Sequence, residues 1–220
     1  MNDSQLLVVE HPAVQDRLAQ LRDRATPTAL FRRLLEELGA LLAYEATRHL
    51  PMRDTDVVTP IESTRVTRIA QPPVVAPILR AGLGLLPGFL QVIEDATVAH
   101  LGFYRDPATL QAVPYYANVP EDLFKREIFI LDPMLATGNS GLAAVKMLAL
   151  RSAKRMTFVS AIAAPEGVAT LQAAFPEIRI VVGALDRGLN EHGYIVPGLG
   201  DAGDRMFASL SSLPSFVARA

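Results

Sequence analysis

The stretch Ile128-Phe129-Ile130-Leu131-Asp132-Pro133-Met134-Leu135-Ala136-Thr137-Gly138-Asn139-Ser140 decides the fold. A short apolar run ends at an aspartate. A loop of small residues follows, and a helical pattern over 141–150 begins directly after it. An uninterrupted apolar run of this kind reads as a strand covered on both faces. A strand feeding a helix is the unit from which parallel sheets are built. Similar runs lie at 74–79, 97–104, 156–163 and 178–185, with helical patterns at 84–93 and 165–174 between them. The alternation predicts an α/β chain with a parallel sheet flanked by helices. Pro77 predicts that its strand is an edge strand or ends irregularly, because proline cannot donate to a ladder.

Upstream, residues 8–50 read as helical. Val14, Leu18 and Leu21 recur at helical spacing, and Leu30, Leu34, Leu38, Leu41 and Leu42 continue an apolar stripe. Arg32, Arg33, Glu36 and Glu37 fall on the opposite, solvated face. Thr26 before Pro27 predicts a helix start, with threonine as cap and proline at the first helical position. Val57, Val58 and 66–69 are short β-like pieces. Residues 110–116, with Pro114-Tyr115-Tyr116, predict a projecting hairpin. No repeat or linker interrupts the chain, which reads as one domain over 1–220. Residues 209–220, rich in serine, read as a loosely ordered tail.

Composition narrows the class. Half of the 220 residues are hydrophobic and 20 % are charged, which excludes a disordered chain. There is no cysteine, hence no disulfide framework and no thiolate metal site. Net charge is −2 and the pI is about 6.1, so an anionic ligand must be held by a local site and not by the field of the whole protein. Nucleic acid and membrane are not expected as partners. The start of the chain carries no basic region before an apolar run, so a cytoplasmic protein is expected.

Three segments carry chemistry. In the first, consecutive backbone N–H groups at 134–140, backed by a helix N-terminus, make an anion site, and Thr137 and Ser140 add hydroxyl donors. The same pattern also suits an ordinary strand–turn–helix capped by a hydroxyl. Asp132 is repelled by phosphate, which leaves it sugar hydroxyls or a metal. The absence of a Gly-Lys-Ser/Thr sequence argues against a nucleoside triphosphatase. In the second, Pro77-Ile78-Leu79-Arg80-Ala81-Gly82-Leu83-Gly84, an arginine stands at a strand's carboxyl end, where open α/β sheets bind ligands. Arg105, ending the next strand, shares that edge. The third, 188–204, holds five of the 14 glycines, at 188, 193, 198, 200 and 203. Glycine of this density lets backbone approach a flat ligand, and Tyr194, Ile195 and Val196 supply apolar bulk. His192 reads as a loop or core histidine.

Together these segments resemble the uracil phosphoribosyltransferase family. Residues 132–140 resemble its phosphoribosyl-diphosphate loop, 79–84 its pyrophosphate loop and 188–203 its uracil-binding tail. Tyr44-Glu45-Ala46-Thr47, Tyr104-Arg105, Val113-Pro114-Tyr115 and Ala163-Ala164-Pro165-Glu166-Gly167 extend the match over about 8–208. The resemblance implies a type I phosphoribosyltransferase-like sheet with a projecting β-hairpin and a base-binding segment at 186–208. It implies that uracil and 5-phospho-α-D-ribose 1-diphosphate become UMP and diphosphate, in pyrimidine salvage, with Mg²⁺. It implies roles by position. Asp132 meets the ribose hydroxyls, and Pro133, Met134, Leu135, Ala136, Thr137, Gly138, Asn139 and Ser140 bind the 5-phosphate. Arg80 and Arg105 bind diphosphate, and Asp201 holds the diphosphate side through Mg²⁺ and water. Ile195, Gly200, Asp201 and Ala202 bind uracil. The resemblance also implies a homodimer or homotetramer and, in some members, activation by GTP, whose site the sequence does not locate.

Two positions depart from the family pattern. Asn139 stands where glycine is common, and asparagine tolerates left-handed backbone angles. Arg187 stands where a neutral polar residue is frequent. Two other readings compete. A regulator of the same fold that binds RNA needs a basic face, which the charge balance does not give. A purine phosphoribosyltransferase shares the phosphate loop but not the 188–203 tail. An unusual peptide is expected at 79–81, as superfamily members often have one there.

Overall fold

Val74, Val75, Ile128, Phe129, Ile130, Leu131, Val159 and Val181 have no exposed surface. Runs of this kind can be satisfied only by a sheet covered on both faces. The computed structural model describes residues 5–105 and 112–208 and contains that sheet. In chain order the elements are β1 (Leu6–Val8), α1 (Pro12–Arg22), α2 (Thr28–Ala46), β2 (Met52–Val58), β3 (Ser63–Ile69), β4 (Val74–Leu79) and α3 (Leu86–Val92). Then come β5 (Thr97–Val98), β6 (Leu101–Arg105), β7 (Ala112–Ala117), β8 (Glu127–Leu131), β9 (Met134–Leu135) and α4 (Asn139–Leu150). Last are β10 (Arg155–Ala163), α5 (Pro165–Ala174), β11 (Arg179–Leu185), β12 (Gly188–Leu189), β13 (Ile195–Val196) and α6 (Ala202–Phe207).

The main sheet has 9 strands in the order β1-β11-β10-β8-β4-β6-β7, with β5 beside β4 and β9 beside β10. Side chains alternate along it as a pleat requires. Val75, Phe129, Leu131, Val159 and Val181 pack with α1, α2 and α3 on one face. Val74, Ile128, Ile130, Phe158 and Ile180 pack with α4 and α5 on the other. Every pairing in this sheet is parallel except β6 with β7. From β4 the chain runs outward to β6 and β7, then returns to β8 on the other side and continues to β10 and β11. The neighbours β4 and β8 therefore flank a topological switch point. Loops leaving such a pair diverge and open a crevice at the carboxyl ends.

Of the two expectations for Pro77, the edge strand is overturned, because β4 is interior, while the irregularity is met. It pairs with β8 through Val74–Pro77, while its outer ladder covers Val74 and Val75 with β5 and resumes at Ile78 with β6. The Ala99 N–H donates to the Val75 carbonyl, so Pro77, two residues on, faces the same outer side, where the ladder is interrupted. The missing donor falls in that gap. Thr26 also differs from expectation. The helix starts at Thr28 with Pro27 at the cap position, and the Thr26 hydroxyl donates to the Gln20 carbonyl at 2.6 Å.

A hairpin is present but not within 110–116: the described part of that stretch is a single strand, β7, which pairs antiparallel with β6 at the edge of the main sheet. A separate two-stranded ribbon, β2 with β3, occupies 52–69. Neither β1 nor α6 was expected from the sequence. The expected loose tail, 209–220, lies outside the described residues. Among the described residues no helix is long and apolar enough to cross a membrane.

Candidate active site

The loop after β8 is held open by its own backbone. The Pro133 carbonyl accepts from Ala161 and Ile162, and the Leu135 carbonyl accepts from Ala164, so 133–135 stays sewn to β10. The chain then turns through Gly138, at φ +83°, into α4. The cap residue of α4, Gly138, has no side chain, the Thr137 hydroxyl accepts from the Asn139 N–H only at 3.4 Å, and no acidic residue occupies the first turn. A helix N-terminus so weakly capped and without a carboxylate leaves N–H donors for an anion. Residues 134–141 and Asp132 enclose a cup of about 90 Å³. That is far below the ~300 Å³ of pockets for whole drug-sized ligands and suits a single small group. Asn139 is the first residue of α4 and does not have positive φ, so the left-handed tolerance expected of it is not used; Gly138 makes that turn.

Arg80 follows β4 and is exposed. The Leu79–Arg80 peptide is cis, which meets the expectation of an unusual peptide there. A 3₁₀ turn over Ala81–Gly84 carries the chain back across the end of β8. A Cβ on Gly82 would stand 2.4 Å from the Leu131 carbonyl oxygen, so only glycine lets this turn lie directly on the strand that feeds the phosphate-type loop. The guanidinium of Arg80 lies 5.6 Å from the Phe207 ring centroid, a cation–π distance. Arg105 ends β6 on the same carboxyl edge; its side chain lies outside the described residues.

The glycine-rich segment is a hairpin followed by a short helix. Asn190 Oδ1 accepts from the N–H groups of His192 and Tyr194, which closes the turn between β12 and β13. His192 is exposed on that turn, as a loop residue. The carbonyls of Tyr194 and Val196 accept from Asn190 and Arg187, so by strand alternation the polar groups of Ile195 face away from β12. The hairpin is docked on the first turn of α5 and reaches the anion loop at Thr137. The Leu189 N–H donates to Glu166 Oε1 at 3.0 Å, and Gly193 lies against the Thr137 methyl. After the cis Val196–Pro197 bond and Gly200 at φ +80°, Asp201 caps α6 by accepting from the Asp204 N–H at 2.9 Å. Ala202 is fully buried and packs with Leu199 and Met206 in the core. Its side chain therefore faces the core and cannot itself contact a base.

Asp132 is the perturbed acid of the site. The residue as a whole is partly exposed, but its carboxyl sits deep at the strand end, and burial pushes it up from 3.8 to about 7. The Met134 N–H, donating to it, works in the opposite direction, and the negative charge of Asp201 adds to the rise. The two carboxylates thus sense each other across the cleft. A strongly shifted acid in a crevice is what reaction sites require.

Sequence reasoning missed the residues that hold these loops. Gly167 lets α5 press on the anion loop, and it lay unexplained within the stretch Ala163–Gly167. Arg205 stacks on Phe31 at 4.3 Å and donates to the carbonyls of Leu21, Asp23 and Leu199. Arg22 and Asp186 clasp Gly198. No local pattern marks them, since their partners are distant in sequence. A roomier cleft of about 460 Å³ lies between Arg53, Arg68, Glu94 and Asp95. It sits beside Pro72 at the amino end of β4, on the opposite edge of the sheet from these loops, and is not the candidate.

A parallel sheet with an anion loop and an arginine turn at its switch point is the frame of the phosphoribosyltransferase class. The adenine phosphoribosyl transferase of Trypanosoma brucei shares this fold, with a TM-score of 0.55 at 9 % identity over 86 % of this chain and 87 % of that one. The family model of uracil phosphoribosyltransferase matches residues 8–209, and the chain belongs to that family. It is 50 % identical to the uracil phosphoribosyltransferase of Lactococcus lactis subsp. cremoris over 94 % of this chain and 99 % of that protein. With that of Anoxybacillus flavithermus it shares 47 % identity, over 94 % and 99 %. A solved protein structure from Aquifex aeolicus superposes with a TM-score of 0.88 at 40 % identity, over 92 % of this chain and 98 % of that one.

Proposed function

We propose that this chain joins uracil to 5-phospho-α-D-ribose 1-diphosphate, giving UMP and diphosphate, as in pyrimidine salvage. The observation that carries this is the seating of the 188–203 segment against α5, through Glu166, and beside Thr137 of the anion loop, in a chain of the uracil phosphoribosyltransferase family. One cleft then has a place for phosphate, a place for diphosphate and a glycine-rich wall for a base.

The N–H groups of 134–140 take the 5-phosphate in the cup at the α4 N-terminus. Asp132, when ionised, accepts from the ribose hydroxyls, and such charge-assisted bonds are about twice as strong as neutral ones. Arg80 and Arg105 bind the diphosphate. The backbone of Ile195 and of Gly200 to Ala202 reads uracil. As diphosphate leaves C1 of the ribose, the sugar becomes oxocarbenium-like and N1 of uracil bonds to C1, losing its proton. Positioning and fixed charge are what such a step needs, with no side-chain nucleophile. The carboxylates of Asp132 and Asp201 face that positive charge.

Among the described residues no three His, Cys, Asp or Glu side chains form a metal cage. Mg²⁺ is commonly held by one or two carboxylates plus substrate phosphates and waters, and the donor set of Asp132 and Asp201 suits it on those terms. Bound there, Mg²⁺ would neutralise charge on the leaving diphosphate. Family membership also supports a cytoplasmic homodimer or homotetramer. The direct test is to incubate the chain with radiolabelled uracil, the phosphoribosyl donor and Mg²⁺. Labelled UMP together with an equal amount of diphosphate is expected, and no nucleotide product would end the proposal.

A further inference from the structure

Asp186 follows β11 on the carboxyl edge, and its side chain is 5 % exposed. Arg22, the last residue of α1, meets it with both terminal nitrogens. Nη2 donates to Oδ1 at 2.5 Å and Nη1 to Oδ2 at 2.8 Å. The pair does not end on itself. Oδ2 of Asp186 also accepts from the Gly198 N–H at 2.9 Å, and Nη1 of Arg22 also donates to the Gly198 carbonyl at 2.8 Å. A single ion pair thus grips both backbone polar groups of one glycine. That glycine has φ +67°, and a Cβ on it would come within 2.2 Å of the Ile195 carbonyl oxygen. It links the two stretches to which the base is assigned, Ile195 on one side and Gly200 to Ala202 on the other.

An ion pair taken out of water is a poor source of stability, because desolvation offsets the attraction. What this one does supply is a fixed orientation for a peptide turn. We propose that Arg22 and Asp186 are positioning residues for the base. They touch no substrate, but by clamping Gly198 they hold the backbone of Ile195 and Gly200 where a flat heterocycle is read. The inference rests on the proposed function for the identity of that heterocycle. If the pair were only a staple between α1 and β11, its loss would lower stability and leave the balance between the two substrates unchanged.

Asp186→Asn keeps an acceptor for the Gly198 N–H and loses the ion pair. Arg22→Lys keeps the charge but cannot fork between Asp186 and the Gly198 carbonyl. In each full-length variant, KM is measured separately for uracil and for the phosphoribosyl donor. The KM for uracil is expected to rise about tenfold or more while that for the donor stays within about twofold, a pattern that localises the loss to base binding. Amide hydrogen exchange should quicken at 198–202 and stay unchanged at 134–140. Equal changes in both KM values, or none, in variants with unchanged exchange at 198–202 would overturn the proposal. If Asp186→Asn does not fold, Arg22→Lys carries the same test. Should the wild type make no UMP, the base assignment fails instead, and the exchange pattern alone decides the clasp.

Discussion

Gly167 and Ala136 are in a contact that only glycine permits: a Cβ on Gly167 would stand 2.4 Å from the Ala136 carbonyl oxygen and 2.7 Å from that of Leu135. The first turn of α5 is thereby pressed against the back of the anion loop. Gly138, at φ +83°, completes the same contact, since a Cβ there would meet Thr170 at 2.9 Å. The cup at the α4 N-terminus is shaped by a helix that supplies none of its lining.

Gly167→Ala should separate these surfaces. Alanine favours a helix interior over glycine by about 1 kcal/mol, so α5 itself should not suffer. The loop must move, and a misplacement of about 1 Å can lower a rate about 100-fold. We expect kcat/KM for the phosphoribosyl donor to fall about 10- to 100-fold in a protein with near-native circular dichroism, the range such misplacement reaches. Unchanged kinetics would mean that the loop tolerates the displacement.

Asp132 sets a pH dependence. With its carboxyl raised to about 7, the free enzyme holds a proton there in mildly acid solution and cannot accept from the ribose hydroxyls. The pH profile of kcat/KM reports free-enzyme ionisations. It should therefore rise through about pH 7 and level off above, and Asp132→Asn should lose both that limb and most of the activity. A profile flat from pH 6 to 8 in the wild type, within the roughly one-unit width of a titration, would remove Asp132 as the ionised partner.

The same group affects stability in the opposite sense. The folded carboxyl titrates near 7 against 3.8 for the ordinary group, so between those values the folded state binds the extra proton. Stability on this account is full in acid and falls as pH rises towards and through 7. Asp132→Asn removes the buried charge and should raise Tm at pH 8, by about 2–4 °C for each kcal/mol relieved at this chain length. Near pH 4 the gain should vanish. A variant less stable than wild type at pH 8 would contradict this.

Asp201 caps α6, and any claim on it as an acid must be separated from that role. Asparagine caps about as well as aspartate, whereas alanine forfeits about 1 kcal/mol. Asp201→Asn should keep the wild-type Tm and lose activity, while Asp201→Ala should lose both. Full activity in Asp201→Asn would reduce Asp201 to a cap.

The sheet was legible because β8, β10 and β11 are buried on both faces and so read as unbroken apolar runs. Asp132 and Arg80 were legible because a charge at the end of such a run lies on the ligand edge of a parallel sheet. Pro77 signalled a missing donor, but nothing local distinguishes an edge strand from an interior one whose outer ladder breaks between β5 and β6. The glycines at 188–203 hid α6, whose six residues are too few to form a stable helix alone and are held by Asp201, Arg205 and Arg32. Arg22 and Asp186 could not be paired at all, because 164 positions separate them. Local pattern shows which face is buried; it does not show which distant residue fixes a turn.

In the proposed function, backbone groups of Ile195 and of Gly200 to Ala202 read uracil. Uracil offers an acceptor at O4 and a donor at N3, and cytosine reverses both. A backbone N–H cannot become an acceptor, so cytosine leaves buried groups mispaired, and a site of that kind rejects it by about 10⁴-fold or more. The most direct measurement is kcat/KM for uracil, 5-fluorouracil, thymine and cytosine with the phosphoribosyl donor and Mg²⁺. Uracil and 5-fluorouracil should lead, thymine should fall far behind, and cytosine should give no detectable product. Cytosine within about tenfold of uracil, a difference of only ~1.4 kcal/mol, would contradict backbone readout.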